Sequence, residues 1–368
     1  PEAFLRGLIL TAPGAVYNQR ALTQTTELMA FRLGEEGYAN AEIEPVPELD
    51  REKKEASVTF YVNPQNRVYV RRISFNGVDQ VDDEVLRREM RQMEGSYLSN
   101  SLVDRSKVRL QRLPYIESVE VNNSPVPGSP DLVDVDFDLE YRMPGQFSGG
   151  VGYSESQKLL LNGSIVHTNF LGSGNRVALE LNSGRFQKLY SLSHSDPYRS
   201  MDGIRRTVSI NYRDITQFTS AASDFSTTSA GATIDYGYPI TEYQSVSIGA
   251  TFQHSELLSS TGSTQQAQDW VLNNGNPFIE DLGSGLVFFG SEFDTVELIA
   301  GWTYDSRNRS LFANRGTRQQ LFLSMAVPGS DVEYYQARYS FTKYFPITPK
   351  WVLRFNSELG IGEGIGDT

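Results

Sequence analysis

The residues best suited to metal chemistry are three aspartates that alternate along one segment. Asp134, Asp136 and Asp138 stand two residues apart, as at the start of a calcium-binding loop. Such a loop needs glycine at the next position, where this chain has Leu139. Apolar residues fill the intervening positions, so the segment has the two-residue period of a β-strand with one solvated acidic face. The sequence therefore predicts a strand here and no calcium site.

No other constellation supports catalysis or cofactor binding. His167, His194 and His254 fall on three different predicted strands and lack the spacing of metal ligands. The run from Gly172 to Asn175 is too short for a phosphate loop and joins two strands, which predicts a turn. The chain has no Cys, which excludes disulfides and thiolate sites, and it has no Gly-x-Ser-x-Gly motif. We expect no metal, no cofactor and no enzyme activity.

The net charge and the hydropathy limit the classes of molecule with which the chain could interact. The 33 basic and 45 acidic side chains give a net charge of −12, whereas a nucleic-acid-binding face needs a basic excess. The mean hydropathy is −0.38, and no run approaches the roughly 18 apolar residues of a transmembrane helix. The alternating strands of a transmembrane β-barrel escape such averages. The chain starts at Pro1 without Met, so we expect it to be cut from a longer protein.

The composition changes near residue 142. In residues 1–142, 41 side chains are charged, against 37 in the longer stretch 143–368, which holds 24 of the 31 glycines and all three tryptophans. The first part therefore indicates an α+β region and the second an all-β region.

The first part contains a degenerate repeat of β-α-α-β-β order, with Tyr38 and Tyr115 in equivalent places. The clearer copy has these predicted elements: a strand at 67–76, helices at 82–93 and 101–113, and strands at 118–126 and 133–142. The earlier copy has a predicted helix at 23–33 and strands at 41–45 and 56–62, without a convincing first strand. We expect a partial module in residues 1–65 and a complete one in residues 66–142.

The second part is a series of about ten-residue alternating segments. Such segments match the length of strands that cross a bilayer at a tilt. The eleven predicted strands are 146–154, 159–168, 175–184, 187–196, 205–215, 226–236, 244–255, 293–304, 316–327, 334–345 and 351–362. An odd number leaves an open edge, which lipid does not tolerate, so we expect further strands beyond residue 368.

The connections between these strands alternate in kind. On the side of residues 1–142 we predict turns near 169–174, 197–204, 237–243, 305–315 and 346–350. On the opposite side we predict loops at 155–158, 185–186, 216–225, 256–292 and 328–333. Since outer-membrane barrels place long loops outside and short turns in the periplasm, the first part is expected in the periplasm.

This organisation resembles the BamA family of outer-membrane assembly factors, in which POTRA modules precede a barrel. The closest stretches are Arg87–Gly95, Ser101–Asp104, Val126–Asp131, Gly237–Tyr243 and Pro328–Tyr335. The resemblance implies the end of a fourth POTRA module, a complete fifth module, and the first eleven strands of a sixteen-stranded transmembrane barrel in residues 143–368. Two family hallmarks, the Val-Arg-Gly-Phe loop motif and the aromatic end of the last strand, are absent from this sequence.

The first predicted barrel strand is rich in glycine. Its central residues are Phe147, Ser148, Gly149, Gly150, Val151, Gly152 and Tyr153. Glycine weakens a strand, and an opened strand exposes backbone groups that can pair with an incoming strand. The family resemblance implies that this strand is a lateral gate. The alternative is that the glycines permit sharp curvature or a close contact with a neighbour.

A second candidate lies on the helix predicted from residue 82. Arg87, Arg91 and Glu94 would share about 60° of arc opposite its apolar face, and two like charges four residues apart are mildly destabilising. The resemblance implies that this module docks a lipoprotein partner of the same assembly machine. The alternative is a solvated helix face. Glu89 falls inside the apolar arc without an evident reason.

With the family resemblance, the sequence predicts an outer-membrane insertase, and the resemblance implies three kinds of partner: lipoprotein subunits, unfolded outer-membrane precursors and outer-membrane lipid. Three alternatives stay open. A POTRA-barrel transporter of two-partner secretion would pass polypeptide through the barrel interior. A passive porin would need no periplasmic modules, and a soluble lipid-binding barrel would not partition into detergent.

Overall fold

The computed structural model describes residues 2–155, 158–215, 225–241, 243–281, 287–309, 313–348 and 351–365. The chain divides into two units, Pro1–Pro144 and Gly145–Thr368. The predicted connections at 155–158, 216–225, 237–243, 256–292, 305–315 and 346–350 lie partly outside the described residues.

The first unit begins with a helix-rich segment and a two-stranded sheet. Its elements are α1 (Glu2–Arg6), α2 (Gln19–Glu35), β1 (Glu42–Asp50) and β2 (Glu55–Asn63). Asn18 caps α2, since its side-chain oxygen accepts hydrogen bonds from two backbone N–H groups of the first turn. In the described part of the chain no strand precedes α2.

The second half of this unit has the predicted β-α-α-β-β order. Its elements are β3 (Tyr69–Asn76), α3 (Asp83–Arg87), α4 (Asn100–Gln111), β4 (Ile116–Pro125) and β5 (Leu132–Tyr141). The sheet order is β3-β5-β4, with β3 parallel and β4 antiparallel to β5. Val133, Val135, Phe137 and Leu139 of β5 are at most 5% exposed and belong to the core, whereas the aspartates of this strand lie on the other face. The strand predicted for the three aspartates is therefore confirmed.

The helix predicted for residues 82–93 is wrong in its length, because α3 ends at Arg87. The physical reason is a buried polar network. The hydroxyl of Ser106 on α4 accepts hydrogen bonds from the backbone N–H groups of Arg91 and Gln92, and the fully buried Gln92 side chain bonds to the backbone at Tyr97 and Ser99. These bonds replace the helical ones and draw the chain out of the helix.

The polypeptide released in this way covers one edge of β3. Backbone hydrogen bonds join Gly95, Ser96 and Leu98 to Val68 and Val70. Met93, at the end of the predicted helix, is 59% exposed. The opposite side of β3 pairs with β5, so the first residues of the strand have backbone neighbours on both sides.

The second unit is one antiparallel sheet. It contains β6 (Gly145–Ser154), β7 (Lys158–Phe170), β8 (Asn175–Ser183), β9 (Gln187–Asp196), β10 (Arg205–Ile215), β11 (Phe225–Pro239), β12 (Gln244–Ser260), β13 (Asn276–Asp281), β14 (Val287–Asp305), β15 (Gly316–Ala326), β16 (Tyr334–Pro346) and β17 (Val352–Gly364). Its path runs from β6 to β17 in chain order, except that β13 lies off this path and pairs with β14. All eleven strands predicted from sequence are present, which confirms the all-β interpretation.

Sequence reasoning missed structure inside the predicted 256–292 loop. A short helix, α5 (Gln265–Asn273), packs there with Val271 fully buried and the Trp270 ring 5.8 Å from the Phe293 ring, centre to centre. β13 follows and pairs with the first residues of β14. β14 is 19 residues long, so β13 covers a part of it that extends beyond β15.

Large apolar side chains line one face of this sheet. Directly paired residues such as Val208 and Ile234, or Ala250 and Leu298, point to the same side. Ile248 and Leu359 on this apolar face are 67% and 66% exposed. The opposite, polar face carries mostly Ser, Thr, Asn, Gln and charged residues. Such a division is typical of a barrel wall that contacts lipid on one side.

No helix in the described ranges is long and apolar enough to cross a membrane.

Candidate functional site

The glycine-rich strand β6 lies at one end of the sheet and pairs with β7. In the described part of the chain no strand pairs with its other edge. Phe147, Gly149, Val151 and Tyr153 share the apolar face, and the residue directly opposite Gly149 on β7 is Gly163. The two strands therefore have no side-chain contact at the centre of this face, where cross-strand pairs normally stabilise a sheet.

Neither backbone geometry nor packing requires most of these glycines. Gly149, Gly150, Gly152 and Gly163 all have φ outside the left-handed region. A Cβ atom added to Gly150 or Gly163 would have no heavy atom within 4 Å. Elsewhere in the sheet the situation differs, since a Cβ at Gly249 would overlap the carbonyl oxygen of Ile234. The close-contact alternative therefore does not explain Gly163.

The other side chains of β6 contribute little to the pairing of this strand with β7. Phe147, Val151 and Tyr153 are between 71% and 78% exposed. On the polar face, the hydroxyls of Ser148 and Ser164 form a hydrogen bond of 2.8 Å. The β6–β7 pairing consequently depends mainly on backbone hydrogen bonds, whose net contribution is about 1 kcal/mol each.

The second candidate set is only partly assembled by the structure. Arg87 closes α3 and forms ion pairs with Asp83 and, at 3.1 Å, with Glu94. Glu94 accepts a hydrogen bond from the N–H of Ile73 at 2.8 Å, and Arg87 donates to the carbonyl oxygen of Ile73 at 3.2 Å. These two side chains thus satisfy the backbone of an edge residue of β3.

Arg91 is not part of this arrangement. Because α3 ends at Arg87, the three residues do not share a helix face, and the predicted common arc is wrong. Arg91 is exposed, and its guanidinium donates to the carbonyl oxygen of the neighbouring Met90 at 3.0 Å. Arg91 therefore remains accessible to a partner, whereas Arg87 and Glu94 have intramolecular roles.

Two pKa values reflect these contacts. The hydrogen bond from the Ile73 N–H, with help from Arg87, holds the pKa of Glu94 below its usual range. The carboxylates of Asp83 and Glu94 raise the pKa of Arg87. Both groups are therefore charged at neutral pH.

The structure also accounts for Glu89. Its carboxylate is 8% exposed and forms an ion pair of 2.6 Å with Arg109 on α4. An acid inside an apolar arc is thus neutralised by the facing helix, which sequence spacing alone did not reveal.

The histidines lie apart, on β7, β9 and β12, and His254 pairs with Asp294 at 2.7 Å. Among the residues that the structure describes, no group of three or more His, Asp or Glu side chains is placed to hold a metal ion.

Two family models match this chain. One, described as the Omp85 superfamily domain, covers residues 169–368. The other, the POTRA model described as a surface antigen variable number repeat, covers residues 1–65 and 68–142.

A curated relative is similar to this chain over its whole length. The outer membrane protein assembly factor BamA of Neisseria meningitidis is 29% identical over 372 residues, which cover 100% of this chain and 46% of that relative. The chain thus spans about half the length of this curated relative.

Among solved structures, BamA from Haemophilus ducreyi lacking POTRA domains 1–3 has a TM-score of 0.77 and 29% identity, covering 99% of this chain and 69% of that one. CdiB from Escherichia coli has a TM-score of 0.50 at 15% identity, covering 99% of this chain and 66% of that one, which shows a shared fold alone. Two POTRA repeats followed by a domain that matches over more than half of the residues lead to one conclusion: the chain is similar to BamA along its whole length and belongs to the Omp85 superfamily.

Proposed function

We propose that this chain is part of an outer-membrane protein assembly factor, which binds unfolded barrel precursors and catalyses their folding and insertion into the outer membrane. Similarity to BamA supports the class of activity. The observation that carries the mechanism is the β6–β7 pairing, where Gly149 faces Gly163 and a Cβ atom at Gly163 would have no heavy atom within 4 Å. The POTRA repeats would lie in the periplasm.

In this mechanism β6 acts as a seam. An edge strand presents alternate unpaired N–H and C=O groups, and an extended precursor strand can add to it by β-augmentation. Glycines reduce the free energy needed to separate such a strand from its neighbour, because they lose more conformational entropy on pairing and bring no side-chain contacts. No covalent step is needed, since the free energy comes from the folding of the precursor itself.

The apolar side chains of β6 suit a site within lipid. Phe147, Val151 and Tyr153 project from the apolar face beside the glycines. A precursor strand with the same alternation would place its apolar side chains on this face and its polar ones on the other. Pairing would thus set the register of the incoming strand as well as its position.

We further propose that the second POTRA repeat docks a lipoprotein partner at Arg91, with Arg87 and Glu94 as the neighbouring charges. The exposure of Arg91 supports a direct contact with a carboxylate of that partner. Arg87 and Glu94 would hold the edge of β3 in shape beneath it.

The seam is tested by site-specific photo-cross-linking to a stalled precursor. Cross-linkers at Gly149 and Gly152 should yield adducts with the precursor. The matched control is Ile248, which lies on the same apolar face but between two paired strands. Absence of adducts at the glycine positions, or equal yields at Ile248, would contradict the seam.

A cross-linker at a third position distinguishes insertion at β6 from the transporter alternative. Ser209 lies mid-strand on the polar face of β10, away from β6. Adducts concentrated at Ser209 would indicate passage of polypeptide along the barrel interior and would contradict insertion at the edge.

A further inference from the structure

A lone arginine lies on the apolar face of the barrel sheet. Arg206 is directly opposite Tyr236 on one side and Asp196 on the other. Two residues further along the same strands, Val208 is paired with Ile234 and His194 and is 37% exposed on the apolar face. Because side chains two apart on a strand share a face, Arg206 belongs to the lipid-facing side of the wall.

The protein does not provide a hydrogen-bond acceptor for every donor of the Arg206 guanidinium. Its Nε atom is buried and has no hydrogen-bond partner among the described residues. Asp196 uses one carboxylate oxygen to accept a hydrogen bond from the backbone N–H of Tyr198 at 3.1 Å. A buried donor without a hydrogen-bond partner is unfavourable, so another acceptor is expected at this atom.

Two ion pairs on the strands that surround Arg206 serve for comparison. At the other end of β9 and β10, Lys188 and Asp214 also lie directly opposite each other, and they form an ion pair of 2.9 Å. On the polar face, the adjacent Arg205 forms an ion pair of 2.9 Å with Asp235. Arg206 differs from both in leaving a buried donor without a partner.

The place of this arginine indicates the missing acceptor. Arg206 is the second residue of β10, next to the turn at 197–204, at the end of the sheet where β6 begins directly after the POTRA repeats. Tyr236, opposite Arg206, and Tyr238, two residues further along β11, are 40% and 47% exposed on the same face, where tyrosines suit a membrane–water interface. Phospholipid phosphates lie at this depth, and an arginine fork binds them well.

We propose that Arg206 and Asp196 form a binding site for the headgroup of a zwitterionic phospholipid with a primary ammonium, on the lipid-facing wall at the periplasmic end. Arg206 holds the phosphodiester, and Asp196 accepts hydrogen bonds from the ammonium. Tyr236 and Tyr238 contact the glycerol region. The depth assignment uses the periplasmic placement of the POTRA repeats, but the site is independent of the β6 seam.

The test is native mass spectrometry of the purified intact protein, delipidated and titrated with phosphatidylethanolamine, phosphatidylcholine or phosphatidylglycerol. We expect the unchanged protein to bind one molecule of phosphatidylethanolamine in preference to the other two lipids. Arg206→Gln should bind it about tenfold more weakly, which corresponds to about 1.4 kcal/mol. Asp196→Asn should lose the preference for phosphatidylethanolamine over phosphatidylcholine. Lys343→Gln is the matched control, because Lys343 lies at the same end but contacts the Phe345 ring at 4.9 Å. This control should bind as the unchanged protein does.

Three results would overturn the site: unchanged binding in Arg206→Gln, an equal loss in Lys343→Gln, or equal competition by soluble phosphoethanolamine, which would assign a free phosphate instead of a lipid. Heat-modifiable migration on gels verifies that each variant keeps its barrel. Arg206→Lys keeps the charge but loses the planar fork, so it should fold and bind with intermediate affinity, even where Arg206→Gln does not fold.

Discussion

The carboxylate of Glu94 accepts a hydrogen bond from the backbone N–H of Ile73 at 2.8 Å. Arg87, bound to the same carboxylate, donates to the carbonyl oxygen of Ile73. Both backbone groups of this edge residue are therefore satisfied by one ion pair, in the way a neighbouring strand would satisfy them. Two residues proposed for partner docking thus also protect the edge of β3 from unintended pairing.

Glu94 should make the stability of the second repeat depend on pH. Its pKa is lowered in the folded protein, so its contribution is present above the unfolded-state pKa and is lost as pH falls through the folded value. We expect Glu94→Ala to destabilise the repeat by about 1 kcal/mol at pH 7. Urea unfolding at a series of pH values should show this difference disappear in acid. A difference that persists in acid, or one equal to that of the exposed Glu84→Ala control, would contradict the role.

Substitutions at Arg91 and Arg87 should have different effects, one on partner docking and the other on the stability of the repeat. Arg91→Ala removes an exposed side chain with one local hydrogen bond, so unfolding should change by less than about 0.5 kcal/mol while retention of the lipoprotein partner falls. Arg87→Ala should lower stability, because the carbonyl of Ile73 and two carboxylates lose their donor. Co-purification and thermal unfolding of both variants provide the measurement. Full partner retention by Arg91→Ala would refute docking at this residue.

Gly163→Val should strengthen the seam. The added side chain meets open space on the apolar face and adds β-propensity worth up to about 1 kcal/mol. We expect slower hydrogen exchange at the amides of β6 and slower precursor assembly by the reconstituted protein. Gly249→Ala is the contrasting control, since its Cβ would overlap a backbone carbonyl and should destabilise the sheet instead. Faster assembly by a well-folded Gly163→Val protein would count against the seam.

Gly37→Ala should loosen the junction of the two POTRA repeats. Gly37 has φ of +94°, its Cβ would lie 2.8 Å from the Cβ of Tyr97, and its carbonyl accepts the N–H of Val68 at 2.9 Å. Arg67 lies between the Tyr38 and Tyr97 rings, 5.1 Å and 5.8 Å from their centres. Strain of about 1–3 kcal/mol is expected, with faster hydrogen exchange at Val68. Gly14→Ala, also at positive φ but in open space, is the control for backbone strain alone.

Sequence periodicity was sufficient for the strands. A two-residue alternation is local, and each predicted barrel strand overlaps an observed one, as β10 at 205–215 and β9 at 187–196 show without any shift. The β-α-α-β-β order followed from the same local patterns. The glycine content of β6 was also evident from the sequence alone.

Tertiary structure decided what depends on partners distant in the chain. The length of α3 follows from hydrogen bonds to Ser106 and Gln92, the acceptability of Glu89 from Arg109, and the bare centre of the seam from the register that places Gly149 opposite Gly163. β13 pairs only because β14 extends past its neighbour. A residue type and its local spacing establish which face a side chain takes, but the identity of the group across from it is fixed by pairing between strands and helices far apart in sequence.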